Sequence, residues 1–215
     1  MLVLAAVSAA MVAMPAAASA QSWHLSQTTN FSVTGFGGSL TWTTGMVISC
    51  TSTTAAGSFS TTTEGKVSIV FHACTSPIGV TCTSPGQPAG TVAISAKFDA
   101  IMVSTNKPGL LLTPEGVFEP TSGQKTLWEM SCLGFVERIF GRGLIGTISA
   151  PGCGVASSTG TVTFSSSSSG HQEDKTYTGI TYDLASTLNG SHPTFSLNAV
   201  WSLAFPAART MTCTH

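Results

Sequence analysis

The residues of this 215-residue chain most able to do chemistry are six cysteines: Cys50, Cys74, Cys82, Cys132, Cys153 and Cys213. Thiols in that number bind metal, run redox exchange or close into three disulfides, the last with fifteen possible pairings. No Cys-x-x-Cys occurs, and no histidine pair stands at ligand spacing beside them. The pattern therefore points to structural bridges, and no metal or other cofactor is expected. Local pattern suggests how they pair. Cys74 and Cys82 flank a loop containing Pro77 and Gly79, a natural small ring. Cys50 and Cys132 each lie on the apolar face of a strand, so a bridge between them would cross the core. Cys153, in a Pro-Gly-Cys-Gly turn, would join Cys213 and pin the last strand.

The remaining candidates are thinner. Hydrolysis would need a nucleophile with its base, or two carboxyls about 5–10 Å apart. Serines are too numerous to be informative, and no Gly-x-Ser-x-Gly elbow is present. His24 and His215 lie near the ends, His171 in a serine-rich tip, His192 before a proline, and His72 on the polar side of a strand. Glu115 and Glu119 flank Gly-Val-Phe and would share one side of an extended segment. Glu129 adjoins Trp128, a sugar-stacking type of neighbour. Glu173 and Asp174 beside His171 read as a flexible polar tip. Of the four tryptophans, Trp42 and Trp201 fall within apolar alternation and read as core. Trp23 is the one expected at the surface, so Trp23, Trp128 and Glu129 are the candidate binding residues.

These residues need elements to position them. Residues 1–20 form an apolar run ending Ala18-Ser19-Ala20, which reads as an export signal cleaved before Gln21. Residues 21–215 hold 32 threonines, 27 serines and 22 glycines, against only 8 basic and 9 acidic side chains in the whole chain. Threonine favours strands, and glycine and serine favour turns. Strict alternation recurs, most clearly at Phe195, Leu197, Ala199, Trp201, Leu203 and Phe205, and again at Val92, Ile94, Ala96 and Phe98. Gly37-Gly38, Thr44-Gly45 and Lys107-Pro108-Gly109 read as hairpin tips. The segment 133–140 reads as a strand. The expectation is all-β: one disulfide-stapled domain over residues 21–215, a β-sandwich or Greek-key barrel of roughly twelve to sixteen strands. Alternation also fits a membrane barrel, but six cysteines and mixed outward faces weigh against it.

One resemblance is carried by Ile48-Ser49-Cys50-Thr51-Ser52, by Val67–Cys74, by Val80 to Gly86 with its Cys-Thr-Ser-Pro-Gly, by Gly109 to Pro114, and by Met130-Ser131-Cys132. Over roughly residues 30–150 the chain resembles a group of uncharacterised secreted actinobacterial proteins. The resemblance implies export and an all-β fold, and supplies no catalytic residue.

With no basic stripe, nucleic acid is not an expected partner. The reading that follows is a non-catalytic secreted or cell-surface structural protein. Residues 21–34, extended and serine/threonine-rich, would serve as an arm for β-strand addition to copies of itself. The alternatives are an extracellular glycan- or lipid-binding module and, third, a secreted hydrolase using Glu115, Glu119 and Glu129.

Overall fold

The computed structural model describes residues 21–115, 126–132, 134–150, 152–167, 171–172, 176–180, 182, 184–187 and 194–214. The expected leader, Glu119, Glu173, Asp174, His192 and His215 lie outside them.

Among the described residues all regular structure is strand: β1 (Trp23–Leu25), β2 (Asn30–Trp42), β3 (Val47–Phe59), β4 (Glu64–His72), β5 (Cys82–Thr83), β6 (Val92–Ser104), β7 (Lys107–Pro114), β8 (Thr126–Cys132), β9 (Phe135–Gly141), β10 (Leu144–Ala150), β11 (Ala156–Phe164), β12 (Leu184–Ser186) and β13 (Thr194–Cys213). Eight of them, β2, β3, β4, β6, β7, β10, β11 and β13, pair antiparallel in chain order. The ring closes where β13 pairs with β2 as well as with β11. This is an up-and-down barrel, and it corrects the expected sandwich or Greek key. In a closed meander each stave finds both partners next to it in the ring, so no strand has to cross to a second layer.

The other strands belong to insertions at one end. β5 interrupts β4 and β6, the β8–β9 hairpin interrupts β7 and β10, and β12 interrupts β11 and β13. These excursions pair with one another in the order β12-β9-β8-β5 and run off the start of β13. They form an annex over that mouth. The opposite mouth has short hairpins at 60–63 and 105–106, and β1 lies there against the end of β13.

Alternation sends one side of each stave inward, and rings fill the interior in layers. Phe31, Phe59 and Phe98 meet edge to face near the hairpin end, at centroid separations of 4.7–5.7 Å. Trp201 packs on Phe164 at 4.5 Å and on Phe71 at 6.2 Å in the middle. Phe195 holds Trp42 and Trp128 at 4.8 and 5.0 Å at the annex end. Glycine on the inner side makes room for this. A Cβ on Gly35 would stand 2.7 Å from Trp201 Cδ1, too close for the ring to keep its place. Ser, Thr and a few Lys side chains fill the outer positions of β3, β4 and β6. An apolar inside and a hydroxyl-bearing outside is the reverse of a lipid-facing barrel.

The disulfides are Cys50–Cys74, Cys82–Cys132 and Cys153–Cys213. The third is the expected one. The first two correct the expected Cys74–Cys82 and Cys50–Cys132 pairs. Ser49 and Thr75 bridge, which brings the chain after β4 beside the start of β3, and Cys82 lies directly opposite Cys132 on β8. Register across strands, not closeness in sequence, decides the partner. Three bridges of this kind persist in an oxidising compartment. No helix among the described residues is long and apolar enough to cross a membrane.

Two further expectations change. Residues 21–34 are not a free arm, because β1 pairs with β13 and β2 is a stave bonded on both sides. Gly37-Gly38 lies inside β2, and Pro108-Gly109 inside β7. The turn expected at 107–109 falls at Thr105-Asn106, where Asn106 takes the left-handed φ of 59°.

Candidate functional site

The expected binding residues are not brought together. Trp23 is fully buried under the hairpin end and donates its Nε1–H to the Gly109 carbonyl at 2.7 Å. Trp128 is also buried, against Phe195. Glu129 follows it in the strand and so points to the opposite face. There it forms a 2.8 Å ion pair with its cross-strand neighbour Arg138. Glu115 forms a separate 2.8 Å pair with Lys66. Trp42 gives its Nε1–H to Ser186 Oγ at 2.8 Å, and Trp201 is in the core. No described tryptophan is therefore a surface platform. His72 stands on the outer side of β4, 2.9 Å from Thr54 Oγ1. His24 is half-buried in β1, and His171 is exposed.

The outer wall along β2 and β13 offers a different constellation. Across the staves, Thr161, Ser202, Thr34 and Thr54 stand opposite one another in one row. Two grooves lie along this wall. One, of about 340 Å³, is lined by Ser32, Thr34, Thr159, Thr161 and Ser202 among others. The next, of about 410 Å³, is lined by Phe36, Ser39, Ser49 and Asn198 with the backbone of Gly37 and Gly38. β2 and β13 line both grooves, which follow one another along these staves and share no lining residue; the pair makes up the β2–β13 trough. No residue lining either carries a charge.

Phe36 is the odd member. It is 99% exposed, and Val200 on the neighbouring strand is 52% exposed. Its placement follows from the backbone. Asn30, Ser32, Thr34 and Phe36 share the outer phase of β2, opposite Phe31 and Val33. Gly37 then takes a φ of 65°, which favours glycine. The β13–β2 register shifts between Asn198 and Trp201. Beyond that bend Leu40 and Trp42 turn inward. The ring thus stands where the stave changes phase. The sequence carries the signal, an aromatic residue in the polar phase of an alternating run, but reading Gly37-Gly38 as a hairpin tip conceals it.

Charge is gathered elsewhere. A groove of about 250 Å³ across β4 and β6 is lined by Glu64, Lys66, Lys97 and Asp99. Burial, and then the Glu64 carboxylate, push the Asp99 carboxyl up, while Lys97 pulls it down.

A second residue escaped the sequence reading. Glu137 on β9 is 3% exposed, and its Oε2 has no hydrogen-bond partner. It faces the barrel with Met130 and Ile139, and burial raises its carboxyl to about 7. Trp128 Nε1 and Thr126 Oγ1, both on β8, are likewise buried without partners. Among the described residues no group of three or more His, Cys, Asp and Glu is placed to hold a metal.

No protein-family model, no curated protein and no solved structure matches the chain.

Proposed function

We propose that this chain is a non-catalytic module of the cell surface or extracellular space, and that it acts through the outer wall of its barrel. The observation that carries the reading is Phe36. A barrel whose interior is filled by its own rings offers nothing inside for a ligand to enter. The wall, by contrast, raises a wholly exposed aromatic ring beside uncharged grooves that carry hydroxyls. Export accords with the three disulfides, with the apolar leader, and with the resemblance to secreted actinobacterial proteins. A non-catalytic role accords with the acids, since Glu115 and Glu129 are engaged in two separate ion pairs. Strand addition through residues 21–34 is not part of this reading, because β1 and β2 take their partners from the same chain.

Fractionation in the native host tests it. The expected result is an exported, fully bridged chain retained on the washed cell envelope or its matrix, and released when Phe36 and Val200 are replaced by serine. A cytosolic chain with free thiols, or retention indifferent to the double variant, overturns the proposal.

A further inference from the structure

We infer that the β2–β13 trough binds a neutral, linear glycan, with Phe36 as the ring on which one sugar stacks. The inference rests on the outer-wall reading and names its ligand class. Phe36 alone would say little, since isolated apolar side chains are ordinary on protein surfaces. Its setting distinguishes it. A pyranose has an apolar C–H face and a girdle of hydroxyls. The C–H face suits the electron-rich face of an aromatic ring. The girdle needs partners that both give and accept hydrogen bonds, as the hydroxyls of Ser32, Thr34, Ser39 and Ser202 and the amide of Asn198 do.

Charge and shape narrow the class. Acidic polymers are held by cationic side chains, and the trough lining has none. Lys66 and Lys97 stand on the β4–β6 wall instead. The interior that would take an acyl chain is occupied by Phe31, Phe98, Phe164 and Trp201. From Ser32 to Ser39 the stave runs roughly 23 Å at about 3.3 Å per residue. Two shallow grooves in succession over that length fit a chain laid along them better than a single sugar.

The test titrates the purified, bridged protein with cellohexaose, laminarihexaose, mannohexaose and chitohexaose, with a galacturonate hexamer as the acidic comparison. Calorimetry gives affinity and NMR gives location. The expected result is binding of at least one neutral hexasaccharide, with signals shifted along β2 and β13. Phe36→Ala should weaken it by about tenfold or more, Phe36→Trp should keep or improve it, and Thr34→Ala or Ser202→Ala should each weaken it by about two- to fourfold. Lys97→Ala, on the other wall, should leave it unchanged. Phe36 buries nothing, so near-UV circular dichroism should show Phe36→Ala folded. The inference is overturned if no neutral probe binds, if only the galacturonate hexamer binds, or if Phe36→Ala binds as the parent does. It is equally overturned if the variant's effect is to dissociate a dimer seen by sedimentation, with no sugar bound. Failure with all sugars, while the Phe36/Val200 variant still leaves the envelope, would remove the glycan and keep the outer wall. Cleavage of a bound hexasaccharide would keep the trough and remove the non-catalytic reading.

Discussion

The two mouths of the barrel are closed by different means. At the hairpin end a three-residue strand, β1, brings in Trp23 and Leu25, and the Trp23 N–H is satisfied by Gly109. At the annex end four strands drawn from three insertions cover the opening. They bury Glu137 Oε2, Trp128 Nε1 and Thr126 Oγ1 without partners. Both closures bury rings and both leave polar atoms without partners, Gln21 Oε1 and Arg209 Nε lying at the hairpin end, but the annex adds a buried carboxyl and covers it only with short pairings. A buried polar atom without a partner costs about 1–3 kcal/mol. The lesson is that the same aromatic packing gives a tight plug at one end and a less stable cap at the other. The annex should open before the barrel does.

Removing bridges would test that order with the largest effect. Replacing Cys153 and Cys213 by alanine removes a 60-residue closure, worth about 4 kcal/mol on chain entropy. Because it ties β13 to the β10–β11 turn, the loss should appear as a lower global midpoint in urea. Replacing Cys82 and Cys132 removes a closure of similar size, 50 residues. The expectation there is local, with faster hydrogen exchange across β5, β8 and β9 while the staves keep most of their protection. Equal loss across barrel and annex in the second variant would break the comparison.

Acidity sharpens it next. Glu137 titrates near 7 in the folded chain against an ordinary 4.5. A folded-state value above the unfolded one means that the fold holds the proton more tightly. The contribution is complete below about 4.5 and is lost as pH rises through 7. At 1.36 kcal/mol per unit it is on the order of 3 kcal/mol. Annex protection should therefore fall between pH 5 and 8 (a window set by about 4.5 and about 7). Glu137→Gln should flatten that dependence, and Glu137→Leu should make the annex more stable at pH 8. A pH-independent annex in the parent protein would refute the assignment.

A matched pair of substitutions gives a smaller effect. Trp23→Phe strands the Gly109 carbonyl and loses ring volume, at about 2 kcal/mol. Trp128→Phe removes an N–H that has no partner, so its cost should be about 1 kcal/mol less. Chemical denaturation of the two variants decides it, and equal costs would mean that Trp128 finds a partner. The smallest effect belongs to Glu129→Gln, which removes a half-exposed cross-strand pair with Arg138 and should cost about 0.5 kcal/mol or less, vanishing in high salt.

Much of the fold was legible because strand alternation is a local signal. Phe195 to Phe205 reads as a stave, and so does Val92 to Phe98, and both are. Segment 133–140, read as a strand, overlaps β9 over Phe135 to Phe140. Closure was not legible. That β13 meets β2 across about 160 residues leaves no local trace, and a sandwich uses the same alternating strands. The cysteine partners failed for the same reason, since Cys74 and Cys82 are near in sequence but face different strands. At the candidate site the tryptophans misled because ring size draws them into cores. Phe36 and Glu137 were each readable as residues out of phase with their run, Phe36 apolar among polar and Glu137 acidic among apolar.

The last long strand of the barrel has a consequence for the order of events in the cell. Its twenty residues join the first stave to the second-last, so until they emerge the growing polypeptide carries two raw borders ready to pair with any neighbour. A meander whose seam is sewn at the end folds late and rewards waiting. Under the export proposed above, such a nascent chain would cross a membrane as an open thread and become a ring only on the far side, where oxidants can set the final stitch from Cys153 to Cys213.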